Sequence, residues 1–476
     1  MRKSFAAVFW LFFTAVLFAS SVYAEVTTDF GGALRLRQEY WDNVQSLGTG
    51  GPGKVKPDRD FFRFRLQGWG KVTLNKDTAI YGRLVTEPKY YIGSRLFRPN
   101  SGNTPPNNDR LDENELNVDN LYLDTKNVLG LPLDVRIGRQ DFLGPDMYGE
   151  GFIFLDGTPG DGSRTFYFNA ARARVRFGQN NSVDLLYISD DASDTTMPSL
   201  HPSEVGPSYA DHKIRLTTSR EKAFAVYGRT KPFGGLAFEP YYVYKTESAY
   251  NDPVTNAFTP FLHLNTIGGR VVYSFGGGWQ VGGEYAHQFG KYTDGTSRTG
   301  NGGYAFVSRK YESVKWKPEW DLRYVYLSGD NPNTSNKVEA WDPLFSRAPY
   351  WNELIIYSLP SETANYGKNL SSNVMPGYWT NMRIYKAGVK LNFSPNTNLG
   401  VAYQFLQADK ATSGLSTAMF SNSGKDRGHL PTALLYHRFS KKVDGFLQYE
   451  HFTPENYYSS NAQDATFFRW QLQIML

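Results

Sequence analysis

Residues 171–177 read ARARVRF, with an arginine at every second position and an apolar residue on either side of each. In an extended chain successive side chains point to opposite faces, so this segment has one cationic and one apolar face. The outer face of a soluble β-sandwich rarely carries arginine after arginine. A transmembrane β-barrel produces this alternation with its apolar side chains towards lipid and its polar side chains towards a wet lumen. The segment therefore favours a strand of a membrane-spanning barrel.

The same alternation recurs in 34–37 (LRLR), 62–66 (FRFRL) and 468–476 (FRWQLQIML). Along the whole chain it predicts strands near residues 30–42, 60–74, 78–88, 116–125, 133–142, 164–177, 182–190, 222–230, 236–246, 264–275, 279–290, 303–312, 318–328, 378–393, 398–408, 428–439, 443–453 and 464–476. These are 18 strands, an even number, as single-chain bacterial barrels have. We therefore predict an all-β fold, a single antiparallel transmembrane barrel over residues 25–476. Eighteen strands are expected to enclose a water-filled channel rather than a packed core.

The connections between the predicted strands alternate in length. Short turns rich in Gly, Asn, Asp, Ser and Pro are predicted at 75–77, 126–132, 178–181, 276–278, 394–397 and 440–442. Long segments lie at 43–59, 89–115, 143–163, 191–221, 247–263 and 329–377. Short periplasmic turns opposite long extracellular loops are typical of outer-membrane barrels, with both termini on the short-turn side. The longest segment, 329–377, could hold a lid or a loop folded into the lumen.

The N-terminal segment predicts export from the cytoplasm. Arg2 and Lys3 precede an uncharged apolar run over residues 5–20, and 22–24 (VYA) fits a cleavage site. These are the three parts of a secretory signal peptide, here residues 1–24. The alternative is an N-terminal transmembrane anchor, but the apolar run is short and the cleavage site is well formed. We expect the barrel in the outer membrane of a Gram-negative bacterium.

The composition excludes several classes of protein. Hydrophobic residues make up 40% of the chain and the mean hydropathy is −0.48, so a helical membrane protein is excluded. The chain has no cysteine, which excludes disulfides, thiolate metal sites and cysteine nucleophiles. A formal net charge of +5 on 476 residues argues against nucleic acid as a partner.

Residues suited to catalysis or cofactor binding form no recognised pattern. The seven histidines, none in a spacing that suggests a triad or a metal pair, are His201, His212, His263, His287, His429, His437 and His451. Asp190, Asp191 and Asp194 could bind calcium, but they lack the ligand spacing and the glycine of a recognised calcium loop. There is no phosphate-binding glycine loop, and no plug domain precedes the first strand. We therefore expect neither an enzyme, nor a cofactor, nor a plugged active transporter.

Strand alternation also predicts which charged residues face the lumen. The predicted lumen cations are Arg35, Arg37, Arg63, Arg65, Arg83, Arg136, Arg139, Arg172, Arg174, Arg176, Arg270, Arg323, Lys386, Lys390 and Arg469. The guanidinium fork matches carboxylate or phosphate oxygens, and rings of Arg and Lys line anion pathways. The alternative is that these arginines pair with lumen acids and only brace the barrel.

Four short motifs occur in order along most of the mature chain. They are 136–140 (RIGRQ) closing a strand, 163–166 (SRTF) before an arginine-alternating strand, 341–345 (WDPLF) after a long strand, and 451–454 (HFTP) before the last strand. This ordered set resembles the alginate export family of outer-membrane β-barrels. The resemblance implies an 18-stranded monomeric barrel with an electropositive pore that passes an anionic uronate polymer.

Together these observations predict a passive outer-membrane channel with an arginine-rich lumen that exports an anionic polysaccharide such as alginate. The alternative is a general or anion-selective porin for the uptake of small acidic solutes. The predicted partners are the acidic polymer or solute, outer-membrane lipid and periplasmic secretion components.

Overall fold

A computed structural model of the chain describes most of the predicted barrel. The described residues are 26–44, 47–48, 59–92, 111–112, 116–155, 167–192, 194, 196–197, 199–200, 219–251, 258–346, 351–358, 379–415 and 417–476. The predicted signal peptide, residues 1–24, and the motif at 163–166 lie outside the described residues. Parts of the predicted extracellular loops lie outside them as well.

Eighteen strands form one closed antiparallel sheet. They are β1 (Thr27–Asp42), β2 (Arg59–Thr73), β3 (Thr78–Thr86), β4 (Leu116–Thr125), β5 (Leu133–Gln140), β6 (Phe168–Phe177), β7 (Asn181–Asp190), β8 (Glu221–Arg229), β9 (Leu236–Glu247), β10 (Leu262–Phe275), β11 (Trp279–Tyr292), β12 (Ser297–Lys310), β13 (Glu319–Leu327), β14 (Met382–Ser394), β15 (Thr397–Gln407), β16 (Asp426–Arg438), β17 (Val443–Pro454) and β18 (Ala465–Met475). Each strand pairs with its neighbours in sequence. β1 also pairs with β18, from Ala33 opposite Met475 to Asp42 opposite Thr466, which closes the barrel.

The predicted fold class and strand number are therefore confirmed. The largest difference in a boundary is at β12, which begins at Ser297 rather than near residue 303. The added segment reads SRTGNG, whose glycines and polar residues hide the alternation of apolar side chains. Its position in the sheet is fixed instead by pairing with β11, where Arg298 lies opposite Gly290.

The connections alternate between short and long as predicted, with one exception. The short turns at one end of the barrel include two 3₁₀ turns, Val128–Gly130 and Gly276–Gly278. The opposite end carries the long segments, except that only residues 293–296 join β11 to β12. The single α-helix of the described residues, α1 (Leu354–Ser358), lies between β13 and β14. None of the helices in this part of the chain is long and apolar enough to cross a membrane.

Side chains on the strands alternate between two environments. Leu121, Leu185, Ile267 and Leu322 lie on outward faces and are 39–56% exposed, which suits contact with lipid hydrocarbon. On β1 the opposite face is buried at every second position, from Ala33 to Trp41. On this strand the inward face therefore holds the charged residues Arg35, Arg37 and Glu39.

Two of the long connections turn into the barrel and pack there. Residues 141–155, between β5 and β6, form the first inward loop, and residues 328–346 with 351–358, between β13 and β14, form the second. Phe152 of the first stacks on Trp341 of the second, with ring centroids 5.1 Å apart. Phe154–Leu155 and Phe345–Ser346 pair as short parallel strands. This differs from the wholly water-filled lumen that the strand number suggested, because the loops bring their own apolar core.

The backbone geometry of β5 explains why the RIGRQ motif contains a glycine. Gly138 has φ +134°, a backbone conformation that other residues rarely adopt. A Cβ atom there would lie 2.2 Å from the carbonyl oxygen of Leu121 on the neighbouring strand. The motif therefore needs glycine at this position for β4 and β5 to approach each other.

The lipid-facing assignment makes a direct prediction for stability. Leu322→Arg places a charge on the outward face in the middle of β13, and it should lower the free energy of unfolding by about 2–4 kcal/mol. Phe439→Arg also replaces an exposed apolar side chain by arginine, but in the turn before β17, and it should cost about 0–1 kcal/mol. Urea titration of folding into lipid vesicles measures both, and equal costs would contradict the assignment.

Candidate functional site

The arginines of β6 lie on the inner face of the barrel. Arg172, Arg174 and Arg176 follow the buried residues Phe168 and Ala170 at two-residue spacing. Their side chains are 7%, 21% and 41% exposed in that order, so the row runs from the packed interior to the wet periplasmic end. This is the orientation that alternation predicted for the three residues.

Each arginine of this row has a carboxylate partner. Arg172 Nη1 donates to Asp146 Oδ1 at 2.6 Å. Arg174 binds Asp184 with two parallel hydrogen bonds, from Nε at 2.7 Å and from Nη2 at 2.9 Å. Arg176 Nη2 donates to Asp134 at 3.1 Å. The row is therefore a set of occupied carboxylate-binding sites and not a bare surface of positive charge.

Asp146 comes from the first inward loop and joins two strands. Its carboxylate binds Arg136 of β5 at 2.8 Å as well as Arg172 of β6 at 2.6 Å. Burial raises the pKa of Asp146, but the guanidiniums of Arg172 and Arg136 outweigh it, so the pKa lies below its ordinary value. The stabilisation from these ion pairs is present above the pKa of an unfolded aspartate and is lost as the pH falls through the lowered pKa.

Glu150 of the same loop repeats this arrangement on another part of the wall. It binds Arg323 of β13 at 2.5 Å and approaches Arg270 of β10 at 3.6 Å. Arg270 also lies 3.4 Å from Glu239 on β9. Lys386 of β14 lies opposite Arg323, and Lys390 lies four residues further along the same strand, nearer the periplasm. Among the described residues neither lysine forms an ion pair.

A second cluster of predicted lumen residues lies where the barrel closes. Arg35 and Arg37 of β1, Arg63 and Arg65 of β2 and Arg469 of β18 meet here, and each is at most 6% exposed. Arg63, Arg469 and Arg37 surround the carboxylate of Glu39 at 3.0, 3.0 and 3.2 Å. Glu87 binds Arg35, Arg63 and Arg65 in the same way. This cluster therefore ties the first strands to the last one.

Two further predicted residues take different positions. Arg83 of β3 binds Asp119 and Asp141, both at 2.8 Å, on the inner wall. Arg139 lies opposite Leu121, so it shares the outward face of the sheet rather than the lumen face. It is fully buried there because Asp194 binds it at 2.7 Å and Tyr167 covers its guanidinium. Alternation alone gave no signal for this covering, which comes from loop residues.

The second inward loop is held by polar side chains of the wall. Gln288 of β11 binds the backbone of Asp342 in both directions, at 2.7 and 2.8 Å. Glu450 of β17 accepts hydrogen bonds from the backbone N–H groups of Glu353 and Leu354 at 2.8–3.0 Å. Lys245 Nζ donates to the carbonyl of Leu344 at 3.0 Å. The barrel wall thus fixes this loop at two places, the WDPLF motif and the start of α1.

Sequence reasoning missed the acids that the loops bring into the lumen. Asp146 and Glu150 come from the first loop, and Asp342 and Glu353 come from the second. It also missed Arg229 of β8, which shares Asp184 with Arg174 at 2.8 Å. Arg229 could have been found, because it continues the alternation of β8. The loop acids carried no such signal, since their contacts depend on how the loops fold.

The polar residues considered for catalysis or metal binding lie apart. All five described histidines are on outward faces, for example His263 beside Tyr244 and His429 beside Tyr403. Asp190, Asp191 and Asp194 contact Asn169, Arg220 and Arg139, respectively. Within the described ranges no group of three or more His, Asp or Glu is arranged to hold a metal ion. His201 and His212 lie outside the described residues.

Comparisons with known proteins fit this architecture. A family model described as alginate export matches residues 203–465. Among solved structures, OprD of Pseudomonas aeruginosa has 9% identity over 96% of this chain and 95% of its own, with a TM-score of 0.52. OccAB1 of Acinetobacter baumannii has 11% identity over 96% and 98%, with a TM-score of 0.51. At such identities the likeness shows the fold alone, and a search of curated proteins finds no match. Fold and family together confirm the outer membrane as the location.

The ion pairs of Asp146 predict a change in ion selectivity. Asp146→Asn removes one negative charge beside Arg136, Arg172 and Arg174, so the permeability ratio of chloride to potassium should rise. The reversal potential of purified protein in a planar bilayer under a KCl gradient measures this ratio. Glu312→Gln, in an exposed turn, removes the same charge away from the lumen and should leave the ratio unchanged. A shift towards cations in the Asp146 variant would contradict the prediction.

Proposed function

The chain belongs to the alginate export family of outer-membrane β-barrels, and from this premise we propose that it is a passive channel that exports an anionic polysaccharide such as alginate. The channel acts as a monomer, and its pathway runs along the arginines of the inner wall. An exported uronate polymer carries one carboxylate on each sugar, so it needs several cation sites in succession. The proposal makes the barrel a conduit and assigns no catalytic step to it.

The observation that carries the proposal is the position of the carboxylates on the first inward loop. Asp146 lies between Arg136 and Arg172, and Glu150 binds Arg323. These guanidiniums therefore already hold carboxylates at 2.5–2.8 Å, in the geometry that a uronate carboxylate would need. We infer that the loop carboxylates stand in for those of the polymer when no polymer is bound.

Exchange of a loop carboxylate for a polymer carboxylate keeps the net binding free energy at each site small. A solute that displaces Asp146 gains an ion pair with Arg172 while the loop loses one, so the net change in free energy at each site is small. Conduction needs this balance, because a solute that binds too strongly does not leave. Arg83, Arg270 and Arg323 add further sites of this kind on β3, β10 and β13.

We infer that the two inward loops move when a polymer passes. Ile153 and Leu344 are fully buried in the lumen, where the loops pack on each other and on the wall. A sugar chain is wider than any gap left between such closely packed side chains. Release of residues 141–155 would withdraw Asp146 and Glu150 and uncover their arginine partners in the same step.

A porin for small acidic solutes is the second candidate, and the same packing favours it. With both loops in the lumen, small molecules pass more readily than a polymer. A porin would use the arginines in place, through the wetter part of the lumen near Arg176. The two candidates predict different defects in a cell that lacks the protein: reduced polysaccharide release for the export channel, and reduced uptake of small acids for the porin.

Replacing the arginine row of β6 tests the pathway. The triple change Arg172→Gln, Arg174→Gln and Arg176→Gln should leave the barrel folded, since glutamine stays hydrated in the lumen, and it should reduce anion selectivity. Reversal potentials in planar bilayers measure the change, and the mobility shift of unboiled protein on gels reports folding. The matched control changes three exposed turn lysines, Lys315, Lys441 and Lys442, to Gln. If the triple variant does not assemble and the single variants keep their anion selectivity, the three arginines only stabilise the barrel.

Export and uptake can be separated in cells. A strain that lacks the protein should release less acidic polysaccharide into the medium, and the wild-type gene should restore release. Uronic acid content of the culture supernatant is the measurement. Undiminished release, together with slower growth on small organic acids, would favour the porin.

A further inference from the structure

Four polar side chains lie in a line across the outer face of the barrel, one on each strand from β8 to β11. Lys222 of β8 lies opposite Thr246 of β9. His263 of β10 lies opposite Thr246 on one side and opposite Lys291 of β11 on the other. Neighbouring strands are about 4.8 Å apart, so the line from Lys222 to Lys291 is about 14 Å long. We name Lys222, His263 and Lys291 the cationic row.

Burial places the cationic row on the lipid side of the sheet. All three of its side chains are exposed. Their chain neighbours Ala223, Leu264 and Tyr292 are at most 7% exposed, because they face the packed interior. Successive side chains of a strand point to opposite faces, so the row faces outwards.

The row lies at the end of the barrel that carries the long loops. Lys222 is the second residue of β8, and His263 is the second residue of β10. Lys291 is the last residue but one of β11. Long loops of outer-membrane barrels are extracellular. The row therefore lies at the boundary between the outer leaflet of the membrane and the cell exterior.

The same face becomes apolar towards the middle of the membrane. Phe224 and Phe289 lie two residues further along β8 and β11, and each is 45% exposed. Tyr242 and Ile267 follow on β9 and β10 and are 37% and 56% exposed. Cations at the boundary and apolar side chains below them match the order of groups in an anionic lipid.

The lysines of the row have no acid partner in the protein. Among the described residues neither Lys222 nor Lys291 forms an ion pair. His263 is held by Tyr244, whose hydroxyl lies 2.7 Å from Nδ1. The other ring nitrogen, Nε2, has no partner within the part of the chain that the structure describes. When the tyrosine hydroxyl donates to Nδ1, Nε2 carries the hydrogen and is free to donate it to a ligand.

Other outward-facing cations at this end of the barrel do have acid partners. Arg383 of β14 binds Asp409 at 2.5 Å. His429 of β16 lies 3.5 Å from Glu455, and His451 of β17 lies 3.2 Å from Asp464. The absence of an acid is thus a property of the cationic row and not of every cation on the rim.

We propose that the cationic row binds the phosphate groups of lipopolysaccharide in the outer leaflet. The lipid A part of this molecule carries a phosphate at each end of a disaccharide, and its acyl chains extend into the membrane. Two lysines separated by about the length of a disaccharide suit two such phosphates, with His263 and Thr246 between them. The exposed rings of Phe224 and Phe289 would then lie against the acyl chains. This inference concerns the outer face of the barrel, so it does not depend on the proposed function.

The test measures lipid binding to detergent-purified protein by native mass spectrometry, after EDTA has removed divalent cations that could bridge phosphates. The variant carries Lys222→Gln, His263→Gln and Lys291→Gln. The matched control carries Arg383→Gln, His429→Gln and His451→Gln, which removes three acid-paired cations from the same end of the outer face. The variant should bind bisphosphorylated lipid A about tenfold more weakly than the wild type, because its contacts with phosphate are lost. The control should stay within about twofold of the wild type.

Two further lipids distinguish the outcomes. Lipid A with both phosphates removed should bind the wild type and the variant equally, since only the acyl contacts remain. Phosphatidylglycerol has one phosphate, so the variant should lose less affinity for it than for bisphosphorylated lipid A. An equal loss for these two lipids would overturn the inference, because the row would then recognise any anionic lipid. Unchanged binding of bisphosphorylated lipid A to the variant, or an equal loss in the control, would overturn it as well.

Folding of the variant is checked by the mobility shift of unboiled protein on gels. If the triple variant does not fold, the single variants Lys222→Gln and Lys291→Gln replace it. Each should weaken binding of bisphosphorylated lipid A by about threefold and leave binding of the dephosphorylated lipid unchanged. Single variants that bind both lipids like the wild type would contradict the inference.

Discussion

Within lipid, every backbone N–H and C=O group needs a hydrogen-bond partner in the protein, and this requirement determines the architecture. A sheet with open edges would leave such groups unpaired in the hydrocarbon, so the strands must close on themselves. Here β1 pairs with β18 over ten residue pairs, from Ala33 to Asp42. Closure fixes which face of each strand meets lipid and which meets the lumen. The alternation of apolar and charged residues follows from that division.

Closure also determines where the charges must go and what they need. An arginine on the lipid face would be costly, so the arginines of β1, β2 and β6 all lie inside. Inside a partly packed lumen, guanidiniums need hydrogen-bond partners, and carboxylates from the wall and from the inward loops supply them. Asp146 and Glu150 thus link the fold of one loop to the charge of the inner wall. Under the proposed function, displacement of that loop would change both the opening and the electrostatics of the channel.

The barrel could be predicted from the sequence because contact with lipid requires an apolar side chain at every second position of a strand. Alternation located β6 from ARARVRF and gave the inward direction of Arg172, Arg174 and Arg176 without knowledge of any long-range contact. Where glycine replaces apolar residues, as at the start of β12, the pattern fades and the boundary shifts. The family motifs identified the right family, and Gly138 and Asp342 now have structural reasons within them.

The candidate site was less predictable, since its partners come from distant parts of the chain. Nothing in residues 141–155 signals that Asp146 would lie between Arg136 and Arg172, because the loop must fold first. Arg139 was predicted to face the lumen, but its side chain points outward. Tyr167 and Asp194 cover it there. Charge contacts of this kind depend on tertiary structure, so they produce no periodic residue pattern from which they could be predicted.

Under the proposed function, the arginines of the wall select a chain of acidic sugars for passage. Release of a fluorescent uronic acid oligomer from lipid vesicles that contain the protein tests it most directly. The comparison is an oligomer of the same length whose carboxyl groups have been reduced to alcohols. The acidic oligomer should leave faster than the neutral one, because the wall arginines attract its carboxylates. Equal rates, or faster release of the neutral oligomer, would contradict it.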